Sequence, residues 1–285
     1  MEMSITKNAM LVELNIGSWT ASRLDRGVSE EIDVSKNTKA RAGNYRKNLL
    51  PDSKELDAIR KFVGNIRNWH YSQTIPWTDS GLRLLTLKQY VDYTSKVNTL
   101  MSEFDTMKRN FVTEYPNLIS AAAFTLGDLF QRDEYPSQDE VDRKFYFNVC
   151  YYPLSESGDF RVDVGNEALS ELAESYEKNF AEKLNSAMAD IWDRLHSTLK
   201  HLSDRLEVTE SGDKKIFRDS LLENAHELCG LLSNLNVTND PKLEEARRDL
   251  EQALLGVTTK DLRESVLIRQ DVHTRVQQII NKFDF

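Results

Sequence analysis

The stretch NEALSELAESYEKNFAEKLNSAMADIWDRLHSTLKHLSDRLE, residues 166–207, decides the fold class. Its apolar side chains fall at Leu169, Leu172, Tyr176, Phe180, Leu184, Met188, Ile191, Leu195, Leu199, Leu202 and Leu206. Ten steps cover 37 residues, a mean of 3.7, which is the period of a straight helix and not the 3.5 of a left-handed coiled coil. No Gly or Pro interrupts it. At 1.5 Å per residue the helix is about 60 Å long. A rod of that length needs partners along its stripe, from the same chain or from other subunits.

Beyond the polar break at Ser211-Gly212-Asp213 come three shorter periodic segments. Phe217, Leu221, Leu222, Ala225, Leu228 and Leu232 line the first; Leu243, Ala246, Leu250 and Leu254 the second; Val266, Val272, Val276, Ile279 and Ile280 the third. They are expected to fold back on the rod as a bundle. Before the rod, Phe145, Phe147, Val149 and Tyr151 alternate with other residues as in a strand, and Phe160, Val162 and Val164 can pair with them across the 155–158 turn. Val12, Leu14 and Ile16 make another short strand. The expected class is therefore α+β, mainly α, with long helices. Its small antiparallel β element comes from strands near 10–16, 145–152 and 159–164. Two regions are expected: 1–164, α+β, and 165–285, the long helix with its bundle.

Further toward the N-terminus, Ser18 has the chemistry of an N-cap for a helix carrying Leu24, Val28 and Ile32. Residues 36–48 hold almost no apolar side chain and read as an exposed, basic, mobile connection. After Pro51, the spacing of Leu56, Ile59, Phe62, Val63 and Ile66 predicts a helix that fails near Tyr71, because Ser72, Thr74 and Pro76 resist its continuation. Trp69 to Leu85 then reads as a loop, with Thr78-Asp79-Ser80-Gly81 as its turn. A second apolar stripe runs from Leu87 to Tyr115, where Pro116 is expected to end or kink the helix before it resumes over 118–130. Ser137 and Glu140 have capping-box spacing.

Charge is uneven. The chain carries −9, yet residues 36–88 hold eleven Lys/Arg against four acids, a local +7, so the remainder sums to −16. Such asymmetry points to an anion-facing surface, or to two halves that pair with each other within or between chains. With 11 Gly and 6 Pro, a glycine-rich cofactor fold is disfavoured, and two cysteines fit reduced thiols rather than a disulfide framework. No apolar run is long enough to cross a bilayer and the N-terminus does not read as a signal peptide.

Phosphate-binding, dinucleotide and nucleophile-elbow motifs are absent, and His196 and His201 lie five apart, off the one-face spacing of a metalloprotease helix. No cofactor or metal is expected. What the sequence does offer is cations interleaved with aromatics: Lys39, Arg41, Tyr45, Arg46, Lys47, Arg60, Lys61, Arg67, Trp69, Tyr71, Trp77 and Arg83. Single-stranded nucleic acid is held by cationic grooves that follow the phosphates and by aromatic faces that stack the bases. The competing reading makes Trp69 and Trp77 core anchors.

The spacing of Gly17-Ser18-Trp19-Thr20, Ala42-Gly43-Asn44-Tyr45, Leu50-Pro51, Trp69-His70-Tyr71, Ile75-Pro76-Trp77, Arg83-Leu84-Leu85, Tyr135-Pro136-Ser137 and Asp159-Phe160-Arg161-Val162 resembles a family of uncharacterised tailed-phage proteins. It is also similar to a domain of unknown function encoded beside MoxR-type AAA+ ATPases. The resemblance spans about residues 10–205 and carries no catalytic residues. It implies a phage origin, the cytoplasm of a bacterial host and a non-enzymatic role. Two functions are therefore expected. The first is an oligomeric protein that binds or anneals single-stranded DNA in replication or recombination. The second is a self-assembling structural or adaptor protein, a ring or filament, partnering a phage AAA+ ATPase without touching nucleic acid.

Overall fold

A computed structural model describes residues 5–155, 166–208 and 215–283 of the chain. The fold is α+β and mainly α. In chain order the principal elements are β1 (Ala9–Gly17), β2 (Ser22–Leu24), α1 (Arg26–Ser35), β3 (Arg46–Asn48), α2 (Lys54–Gln73), β4 (Ile75–Pro76), β5 (Arg83–Thr86), α3 (Leu87–Leu126), α4 (Gln138–Asp142) and β6 (Tyr146–Pro153). Then follow α5 (Asn166–Leu206), α6 (Ser220–Leu235), α7 (Pro241–Leu254), α8 (Thr259–Glu264) and α9 (Val266–Lys282). The four-stranded sheet has the order β4-β5-β1-β6. β5 runs antiparallel to both β1, with Ala9 opposite Thr86, and β4, with Ile75 opposite Leu84. The expected strand at 159–164 lies outside the described residues.

Compactness divides the chain differently from a cut near residue 164. One unit, here the bundle unit, comprises Met1–Glu13, Tyr71–Tyr93 and Cys150–Phe285; the other, the inserted unit, comprises Leu14–His70 and Thr94–Val149. The chain crosses from one to the other four times, inside β1, α2, α3 and β6.

In the bundle unit the second half of α5 supplies the spine. Ala187, Ile191, Leu195, Leu199, Leu202 and Leu206 are all fully buried, packed in one cluster with Leu221, Ala225 and Leu232 of α6, Leu243 and Leu250 of α7, and Val272 and Val276 of α9. Burying such side chains stabilises by about 1.5–3 kcal/mol each relative to exposure, which is what holds a rod with no loop of its own. The first half of α5 is less covered: Tyr176, Phe180 and Leu184 are half-buried and Leu172 is exposed. The rod's need for partners is thus met by its own chain in one half and only in part in the other.

The inserted unit is built on α3, whose Leu100, Phe104, Phe111, Tyr115 and Ile119 pack with Leu56, Ile59, Val63 and Ile66 of α2 and with Phe145 and Phe147. Edge-to-face contacts at 5.3 Å (Phe111–Phe145) and 5.8 Å (Phe104–Phe147) order this core. Pro116 neither ends nor divides α3, a 40-residue helix. Proline cannot donate to the carbonyl four residues back. That carbonyl, on Val112, instead accepts from Gln138 Nε2 at 2.7 Å. Gln138 is placed by the Ser137–Glu140 capping box, which forms as its spacing suggests.

Two local expectations are corrected. Ser18 caps no helix. Asp25 is the N-cap of α1, its carboxylate accepting from Val28 N at 3.1 Å, and residues 22–24 pair with β3 as a two-stranded ribbon. The segment 36–48 is not a free connection either. Asp33 accepts from Thr38 Oγ1 and from the Ala42 amide, so one carboxylate folds the loop back before it enters β3.

Candidate nucleic-acid interface

The twelve proposed contact residues divide between the units. Lys39, Arg41, Tyr45, Arg46, Lys47, Arg60, Lys61, Arg67 and Trp69 belong to the inserted unit; Tyr71, Trp77 and Arg83 belong to the bundle unit. They do not make one constellation within a single compact body.

Lys47 is the clearest correction. Its side chain is 1% exposed, with Nζ 3.1 Å from Asp25 and 2.7 Å from Glu134, and it donates to the Leu129 carbonyl at 2.9 Å. Burial opposes the charge, but the bonds from Glu134 and Asp25 outweigh it and raise the pKa of the ammonium. The Val28 amide first, and Lys47 next, hold the Asp25 carboxyl below its usual range. The ammonium is structural: it ties α1, β3 and the 127–134 segment together, and no phosphate reaches it.

The other arginines also have internal work. Arg60 pairs with Asp57 and donates to the Thr20 carbonyl, while Arg67 donates to the Ile16 carbonyl at 2.6 Å. Arg46 is exposed but bonded to Ser22 Oγ at 3.1 Å. Lys39, Arg41 and Lys61 remain exposed on the inserted unit, and Tyr45 stands near them in sequence at the end of the Asp33-tied loop.

The stretch 69–85 is not a loop throughout. α2 continues to Gln73, so Trp69, His70 and Tyr71 are helical, and 75–86 form a β-hairpin closed at Thr78–Gly81. There Gly81, at φ +102°, occupies the left-handed region that the turn requires. The helix survives past Ser72 because its last carbonyls are satisfied by side chains. Arg83 donates to the carbonyls of Tyr71 and Thr74, and Arg194 of α5 to those of Ser72 and Thr74. Two guanidinium forks at a helix C-terminus satisfy orphan acceptors and oppose the negative end of the dipole. Arg83 also lies 4.9 Å above the Tyr71 ring, and burial, then the charge of Arg194, lowers its pKa. Trp77 is buried in the bundle core, edge-on to Phe180 at 5.3 Å, and Trp69 packs partly buried on the other core. The core-anchor reading holds for both tryptophans.

Sequence reasoning missed two cations of the same kind. Arg194 carried no signal beyond being a charged residue beside the apolar stripe of α5. Arg269, 2% exposed, donates to the carbonyls of Leu206, Arg205 and Lys215 and lies 5.3 Å from the centre of the Phe217 ring. It closes the C-terminus of α5 as Arg83 and Arg194 close that of α2. Among the described residues no three His, Cys, Asp or Glu side chains gather as a metal site, and no helix is long and apolar enough to cross a membrane. No protein-family model, curated protein or solved structure matches the chain.

Proposed function

We propose that this chain is a non-enzymatic, self-assembling phage protein of the structural or adaptor kind, working as a homo-oligomer in the host cytoplasm. The observation that carries the reading is the partition of charge by compact unit. The inserted unit holds 17 Lys/Arg against 16 Asp/Glu, whereas the bundle unit holds 20 against 30, a net +1 beside a net −10. The side chains left over by internal bonding match across that partition. The inserted unit offers Lys36, Lys39 and Arg41 in the loop after α1, whose end exposes Ile32 and Val34 along with Glu30 and Glu31; the bundle unit offers Glu171 and Glu174 beside exposed Leu172, with Glu182 further along α5. The cationic loop after α1 of one copy is the proposed partner of the acidic first half of α5 in the next. A phage AAA+ ATPase, suggested by the resemblance, is the proposed partner of the assembled form.

Light scattering across a salt series tests this. The expected result is a large oligomer at about 0.05 M salt that breaks into smaller species toward 1 M, where the Debye length shrinks to about 3 Å. Lys39→Glu with Arg41→Glu should abolish assembly, and Glu171→Lys with Glu174→Lys should restore it when mixed with that variant. A particle mass that stays the same at every salt concentration, whether monomer or small oligomer, would overturn the reading.

A second reading, binding or annealing of single-stranded DNA, is supported by Lys39, Arg41, Tyr45, Arg46 and Lys61, which are exposed on the inserted unit. Fluorescence polarisation with a labelled oligonucleotide at low salt distinguishes it. Binding weakened at least tenfold by Lys39→Glu, Arg41→Glu and Lys61→Glu would favour DNA; unaltered or absent binding would leave assembly as the function.

A further inference from the structure

At the α5 C-terminal end of the bundle unit lies an apolar patch that no described residue covers. Ile216 is 91% exposed, and the first turn of α9 presents Val266 at 38%, Leu267 at 79% and Ile268 at 38%. These side chains are gathered by the residues between them. Arg269 grips the Lys215 carbonyl and Arg263 the Phe217 carbonyl at 3.1 Å, so both chain neighbours of Ile216 are fastened to residues three positions either side of Val266. Both guanidinium groups also lie over the Phe217 ring, at 5.3 and 5.4 Å. The patch is therefore held in place rather than swinging on a loop. α9 starts here because Ser265 caps it, accepting from the Ile268 amide at 3.3 Å. Nothing in that capping requires three consecutive aliphatic residues to face outward.

We infer that this patch is a two-fold contact with a second copy of the chain. Its apolar area is on the order of 400 Å², at the size where exposed patches on monomers are commonly functional. That is about half of the roughly 800 Å² per partner of a standard interface, which leaves the rim to supply the rest. The rim is what selects a second copy over another partner. It carries both signs in balanced pairs: Lys215 with Glu207, Arg263 with Asp219, and one turn further along α9 Arg275 with Asp271. A surface meant for nucleic acid or for an acidic protein would be of one sign. A balanced rim set against itself by a two-fold axis can place each cation beside the other copy's anions. The rest of the bundle unit is strongly acidic, so this end is also where two such units meet with least repulsion. The contact is independent of the charge-driven assembly proposed above, and burial of aliphatic surface makes it salt-resistant.

Sedimentation equilibrium of the full chain in 1 M NaCl separates the two contacts, because charge-driven assembly is screened there. The expected species is a dimer. Ile216→Asp and Leu267→Glu, each at a solvent-exposed position, should weaken dimerisation at least tenfold while leaving the helical circular dichroism and the melting cooperativity of the monomer unchanged. The milder Leu267→Ser, introduced as a folding control, should weaken it less in the same direction. A wild-type monomer in 1 M NaCl at about 100 µM would overturn the inference, even if low-salt oligomers form. So would a dimer that tolerates both charged substitutions.

Discussion

Lys47 shows how one residue can be cationic in the sequence and unavailable in the fold. Its composition-level meaning was a phosphate contact, but the two carboxylates that neutralise it lie 22 and 87 positions away in the chain, at Asp25 and Glu134. No local pattern links three such residues, so the sequence could report the charge and not its use. Removing the ammonium leaves two largely buried carboxylates facing each other. Lys47→Ala should therefore destabilise by about 3–5 kcal/mol, measured as a shift in the denaturant midpoint, and should not act as a simple surface change. Trp77 followed the same logic in reverse. An aromatic in a basic stretch can stack a base or fill a core, and its edge contact with Phe180 decides for the core.

Among the elements, α3 carries the most instructive departure. Proline at position 116 is a helix breaker by local rule, yet the helix runs 40 residues through it. The rule fails because Gln138 supplies from outside the hydrogen bond that Pro116 cannot make. Gln138→Ala should cost about 1 kcal/mol in the wild-type background. Pro116→Ala should stabilise, by up to about 3 kcal/mol, and in that background Gln138→Ala should cost almost nothing, since the restored amide bonds Val112 itself. A double-mutant cycle by chemical denaturation reads both. The long helices, the strand beginning near 145 and the bundle helices were legible because each repeats its own period over many residues. The α1 cap and the β2–β3 ribbon were not, because three-residue strands have no period and their pairing is a tertiary fact. In α7, Glu244 is gripped by Arg247 and then by Arg248, which hold its carboxyl down at about 2. A depressed carboxylate contributes stability above its unfolded value of about 4.3, and that contribution fades as pH falls toward 2. The melting temperature of wild type should therefore drop more steeply between pH 5 and pH 2.5 than that of Glu244→Gln.

At the scale of the whole molecule, the asymmetry of charge seen along the sequence reappears as an asymmetry between compact units, though not along the boundary that the sequence suggested. The basic segment 36–88 straddles both units. What turns the local +7 into a near-neutral unit is the company it keeps, chiefly the acids of α3 and of residues 128–142. That is why part of a surface expected to attract anions, Arg46, Lys47, Arg60, Arg67 and Arg83, is engaged in internal bonds instead. The four crossings of the chain between units carry one more consequence, for synthesis. The inserted unit lies wholly between residues 14 and 149, interrupted by the 23-residue excursion 71–93 into the bundle unit, whereas the bundle unit closes only with α9. As the chain leaves the ribosome from its N-terminus, the inserted unit has every residue it needs more than a hundred codons before its neighbour does. Over that interval the core residues Ala9, Ile75, Trp77 and Leu84, and after them the apolar stripe of α5, wait for the helices α6 to α9 that share their cluster. The protein is thus built from the inside of its sequence outward, and the last helix translated is the one that ends the wait.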